Sequence, residues 1–167
     1  MSDIDNLRHW LLNLLDSKMA HMPLRSALTD FPEDKMNARP PNVPYTFWHL
    51  IEHLRIAQWD ILDYIRNPNY AYLEWPKEYW PEPDATTDRA GWDETIRQFE
   101  RDLEALKDIV RDPTTDLYAQ IPHGEPGHNI LREILVVADH NSYHLGELGI
   151  LRQVTDSWPK ARKPEEL

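Results

Sequence analysis

Ala138-Asp139-His140-Asn141-Ser142-Tyr143-His144-Leu145-Gly146-Glu147-Leu148 lies inside a longer segment, about 129–154. There Ile130, Ile134, Val137, Asn141, Leu148 and Leu151 share one stripe. Steps of three, four and seven between these positions predict an amphipathic helix, because about 3.6 residues complete a turn. His140 and His144 stand four apart, which on a helix means about 40° of rotation and about 6 Å of rise. Two imidazoles so spaced can converge on one cation, as in the helical zinc motifs. At about 100° per residue, His144 falls about 20° from Val137 and His140 about 20° from Leu151. Both rings therefore point into the protein or along its inner edge.

Three further segments have the same periodicity. The first, about Ile4 to His21, is apolar at Ile4, Leu7, Leu11, Leu14, Leu15 and Met19, with Asp3 as its cap and Pro23 marking its end. The second, about Tyr45 to Ile65, runs through Phe47, Leu50, Leu54, Ala57, Ile61 and Ile65 and closes at Asn67-Pro68. The third, about Asp88 to Val110, has its apolar line at Trp92, Ile96, Phe99, Leu103, Leu106 and Val110. Thr87 offers it a capping hydroxyl without a capping-box acid. No segment alternates convincingly as a strand does. The reading is an all-α, four-helix bundle occupying 1–167 as one domain, a length able to bury a continuous core.

The connections are long for such a bundle. The 22–44 segment is rich in proline and is expected to hold short helical turns near Leu24–Leu28 and Glu33–Met36. The 67–87 segment is dense in Trp, Tyr and Pro; a loop of that length is a lid, a crossover or a linker, and its aromatic content favours packing. A third connection runs over 111–127.

Two histidines make an incomplete site for a first-row metal, so a third ligand must come from elsewhere. The second helix carries Trp48-His49-Leu50-Ile51-Glu52-His53. His53 lies at the edge of its apolar stripe and is the preferred ligand. His49 turns about 40° further out, toward solvent or a neighbouring helix, and stands as an outer residue or optional fourth ligand. A single inward histidine is commonly a hydrogen-bonded core residue, but three from two segments, among eight in the chain, are harder to explain that way. His9, His21, His123 and His128 read as surface or cap residues.

A net charge of -11 argues against phosphate-backbone binding, and the basic tail residues Lys160, Arg162 and Lys163 are followed by Glu165 and Glu166. No apolar run has the length of a membrane span. The acidic beginning lacks the marks of a secretory signal, and cysteine is absent, which suits a reducing compartment. The expectation is a cytoplasmic protein without nucleic-acid or membrane partners.

The chain resembles the DinB-like superfamily of metal-binding bundles. The residues that carry the likeness are Pro44-Tyr45-Thr46-Phe47-Trp48, the histidine of the second helix, and Asp139 to Leu148. Gln58-Trp59-Asp60-Ile61-Leu62, the Trp75-Pro76 to Tyr79-Trp80-Pro81 loop and Leu131-Arg132-Glu133-Ile134-Leu135 add to it. The resemblance implies an up-down-down-up bundle with a long crossover after the second helix. It also implies a three-histidine site matched by His53, His140 and His144, holding zinc or nickel, and often a homodimer, for which Gly146 could allow close helix approach. Characterised branches are similar to thiol-dependent transferases or isomerases, so a low-molecular-weight thiol is the implied cosubstrate.

Three imidazoles leave a coordination position for water or substrate. The functional readings are a metal-dependent S-transferase or hydrolase acting on a small molecule, a non-catalytic metal-binding protein of the stress-induced type, or a metal-free helical interaction module. Asp60 is a candidate outer acceptor for a ligating histidine or a solvated carboxylate; Glu52 and Glu147 are less well directed. Tyr143 is a candidate donor to substrate or a phenol buried between helices. Trp75, Tyr79 and Trp80 could line the pocket mouth or pack as ordinary crossover residues.

Overall fold

The computed structural model describes residues 2–159, so the mixed-charge tail noted above lies outside the described residues. The chain is all-helical: α1 (Asp3–Leu15), α2 (Leu24–Ala27), α3 (Phe47–Arg66), α4 (Arg89–Arg111) and α5 (Ile130–Val154). Single 3₁₀ turns occur at Glu33–Lys35 and Lys77–Tyr79. The two short helical turns expected within 22–44 are therefore present.

Each long helix starts on a side-chain cap that satisfies a backbone N–H left without an intrahelical partner. Ser2 caps α1 in a reciprocal box with Asp5, one position ahead of the expected Asp3. Thr46 accepts from His49 N and Asn129 from Arg132 N. On α4 the cap is Asp88, which accepts from Gly91 N, rather than Thr87. The first helix also ends earlier than periodicity indicates. Ser17 adopts φ 55°, which takes the backbone out of the helix, and Met19 is exposed instead of extending the stripe.

α3 packs on α4 and α5, and α1 packs on the same two, so α1 and α3 stand across the bundle from each other. The core divides into two apolar clusters. One joins Phe47, Leu50, Ile51 and Leu54 to Trp92, Phe99, Leu145 and Leu148, and draws in Leu24, Ala27, Phe31 and Met36 from the proline-rich connection. The other joins Leu11, Leu15, Leu62, Leu106, Val110, Leu117, Ile134 and Val137. Each Leu, Ile, Val, Phe or Met side chain among them contributes about 1.5–3 kcal/mol when fully buried.

Along the helices, buried polar residues separate the stretches that feed the two clusters: Gln58 on α3, Asp102 on α4 and Asn141 on α5, with His53 buried among the first cluster's residues on α3. Arg152, fully buried, pins the proline-rich connection to α5. Its guanidinium donates to the carbonyls of Ala27 (2.6 Å), Thr29 (3.1 Å) and Ser157 (2.5 Å) and lies over the Trp158 ring at 3.9 Å.

Candidate metal centre

α3 supplies His53 and α5 supplies His140 and His144, one turn apart. One ring nitrogen from each lies within 4.8 Å of the others. The Nε2 atoms of His53 and His140 face each other at 3.1 Å, close to the separation of about 3.3 Å that a tetrahedral ion imposes on nitrogens held at about 2.0–2.1 Å. The ring planes cross steeply, at 86° between His53 and His144 and 63° between His140 and His144. The rings therefore meet at an edge instead of stacking.

Protonation favours the same reading. Burial pushes His140 down to about 4 and His144 down to about 3, each helped by repulsion from neighbouring rings of the trio; burial also lowers His53. All three are neutral near pH 7, which metal ligation requires. Two outer contacts then choose the tautomer. His53 Nδ1 donates to the carbonyl of Tyr79 at 2.8 Å, leaving Nε2 with its lone pair. His144 Nδ1 donates to Glu147 at 2.7 Å with the same result. Glu147 also accepts from the Tyr45 hydroxyl. Trp80 lies flat on His53, with centroids 3.9 Å apart and planes within 5°, which fixes that ring's rotation.

His53 is fully buried, whereas His140 and His144 keep partial exposure. Beside the trio, Trp75 (68% exposed) lies 6.4 Å from His53 and Tyr143 (73% exposed) 4.9 Å from His144, centroid to centroid. The trio is thus reachable from outside on the side of α5. Three neutral imidazoles, two of them orientated by outer acceptors, fit a borderline divalent cation. Compared with known protein families, residues 18–148 match the DinB superfamily. The chain belongs to the DinB superfamily. No curated protein and no solved structure matched it.

Within this DinB-superfamily chain the other candidates fall differently. His49, expected to turn toward solvent or a neighbouring helix as an outer residue or optional ligand, is buried, and its Nε2 donates to the Ala85 carbonyl at 2.8 Å, apart from the trio. Asp60 touches no histidine. It is buried and accepts from the hydroxyls of Tyr70 (2.9 Å) and Tyr79 (2.6 Å), so it reaches His53 only through the residue whose carbonyl holds that ring. Glu147, expected to be less well directed, is the carboxylate that meets one of the three histidines, His144. The expectation fails because a helical side chain leans back toward the N-terminus, which carries Glu147 over His144 three residues before it. Glu52 instead pairs with Arg55 and Thr95.

Tyr143 is exposed rather than buried between helices. Trp80 and Tyr79 serve the site directly, one as a stacking wall and the other through its backbone. No local pattern marks a backbone carbonyl as the partner of a ring 26 residues away, so sequence reasoning could not find it. His128 and His123 tie the 111–129 connection to Tyr64, and His9 pairs with Asn13 at the surface.

Proposed function

We propose that this protein is a metal-dependent enzyme that joins a low-molecular-weight thiol to an electrophilic small molecule, with zinc or nickel held by His53, His140 and His144. The observation that carries the reading is the convergence of three neutral imidazoles whose outward side stays accessible. A cation so held acidifies a thiol or water that reaches it and polarises an electrophile. The chain has no cysteine, so the sulfur must arrive on a cosubstrate. Glu147 and the Tyr79 carbonyl keep the ligand lone pairs aimed inward, Trp80 keeps water from one face of His53, and Tyr143 and Trp75 offer aromatic walls and a phenol donor at the mouth.

We place the protein in the cytoplasm as a homodimer. The exposed residues Val136, Ile150 and Val154 follow one side of α5, and Gly146 has open space above it. Light scattering of the purified chain tests the dimer. Among the described residues no helix is long and apolar enough to cross a membrane.

The decisive experiment is elemental analysis of protein purified without a histidine tag, followed by thiol-conjugation and ester-hydrolysis assays with zinc or nickel. The expected result is about one metal per chain and a metal-dependent conjugation lost in His144→Ala. Turnover of esters alone would transfer the assignment to a hydrolase. A bound metal with no turnover would leave a non-catalytic binder, and no metal at all an interaction module.

A further inference from the structure

Asp60 is buried on α3, and both its oxygens are taken by phenols of the segment that joins α3 to α4. Oδ1 accepts from the Tyr70 hydroxyl at 2.9 Å and Oδ2 from the Tyr79 hydroxyl at 2.6 Å. A buried carboxylate is costly to keep unless its oxygens are hydrogen-bonded, and these two hydroxyls supply the bonds. Burial, and after it the hydrogen bonds to Asp60, push both phenols above their ordinary value, so they remain donors.

His53 and Asp60 stand seven apart on α3, which places them about 20° apart around the helix axis and about 10.5 Å apart along it. Tyr79 spans that interval. Its hydroxyl rests on Asp60, and its carbonyl accepts from His53 Nδ1 at 2.8 Å. Among the described residues, these are the hydrogen bonds that tie the turn Lys77–Tyr79 to α3. Glu74, Lys77 and Glu78 bond to one another instead. The aromatic residues around the trio flank the same anchor: Trp80 stacks on His53, and the Trp75 ring lies 5.4 Å from that of Tyr79.

We propose that Asp60 is a positioning residue for the metal centre: by holding the Tyr79 hydroxyl it fixes where the Tyr79 carbonyl stands, and through that carbonyl the orientation of the His53 ring. Tyr70, held by the other oxygen, packs its ring on Tyr64 and Tyr72 instead of reaching the trio. The two tyrosines make the same demand on Asp60 but different ones on the centre, which separates positioning from support of the fold. The consequence for metal binding rests on the metal reading above; the contacts themselves are those of the metal-free chain.

The test uses the full chain with ¹⁵N-labelled histidine, free of metal. The His53 Nδ1 proton is expected to exchange slowly with solvent in wild type and in Tyr70→Phe. In Asp60→Ala and Tyr79→Phe it should exchange about tenfold faster, the factor that losing one hydrogen bond to a charged group implies. Asp60→Asn, which keeps an oxygen for one hydroxyl and an N–H for the other, is expected to fall between wild type and Asp60→Ala. Competition against a zinc-binding dye should show binding about tenfold weaker in Asp60→Ala and Tyr79→Phe, the lower end of what outer partners contribute, and unchanged in Tyr70→Phe. If Asp60→Ala does not fold, Tyr79→Phe against Tyr70→Phe carries both readouts. The proposal is overturned if the His53 proton exchanges in Tyr79→Phe as it does in wild type, or if Tyr70→Phe speeds it as much. Equal zinc binding by wild type and Tyr79→Phe overturns it too. Should wild type take no zinc, the metal reading fails by itself, and the exchange comparison still decides the role of Asp60.

Discussion

Replacing Glu147 probes the best-defined outer contact of the centre. Its carboxylate lies 2.7 Å from His144 Nδ1 and also accepts from the Tyr45 hydroxyl. In Glu147→Gln the amide oxygen can still accept from His144, while the amide nitrogen can donate to the Tyr45 oxygen. Geometry survives and the charge does not. A hydrogen bond to a charged group is worth about 1.5–3 kcal/mol and a neutral one about 0.5–1.5. The difference, near 1.4 kcal/mol, is about tenfold in zinc affinity. Glu147→Ala removes the acceptor altogether, frees the ring to rotate and releases the tautomer, so its loss should approach about 100-fold. Dye competition at pH 7.5 measures both variants, with thermal melts of the metal-free proteins confirming the fold. The reasoning is refuted if Glu147→Ala binds zinc within twofold of wild type, because the contact would then orient nothing the metal needs.

The metal-free protein should lose stability below its histidines' ordinary value. Folded His140 and His144 resist protonation down to about 4 and about 3 against 6.5; the unfolded chain takes protons first, so this contribution is complete above about 6.5 and is lost as pH falls toward about 4 and below. Urea midpoints in chelator should drop between pH 7.5 and 5, and a His140→Gln/His144→Gln variant should flatten that slope. Arg152→Met leaves the Ala27, Thr29 and Ser157 carbonyls short of a donor while relieving a buried charge, a net cost of about 3 kcal/mol. That lowers the melting midpoint by about 6–12 °C, measurable by circular dichroism. Asp102, whose Oδ2 is buried without a partner and whose carboxyl burial pushes up, should be better tolerated as an amide; Asp102→Asn is expected to raise stability at pH 7 by about 1 kcal/mol, read from urea denaturation.

Helical periodicity made the four long helices legible because each has a stripe to bury, and the apolar spacing around Val137 and Leu151 aimed His140 and His144 correctly. His53 was legible from the edge of its stripe. The end of α1 was not, since Met19 continues the spacing while Ser17 turns the backbone away. His49 shows the limit of an angular argument. It lies off the stripe of α3 yet is buried, because the connection before α4 folds over it and offers the Ala85 carbonyl. The outer contacts of the centre were hidden for a related reason. Tyr79 contributes through its backbone, which no side-chain pattern encodes, and Glu147 through the backward lean of helical side chains.

The segment joining α3 to α4 does two jobs with neighbouring residues: the Tyr79 carbonyl anchors the His53 ring and Trp80 plates it, while Trp75 stands exposed at the rim of the trio. Variation there is consequently not free. A change at any of these three positions therefore disturbs the rim of the histidine trio and the orientation of the His53 ring together.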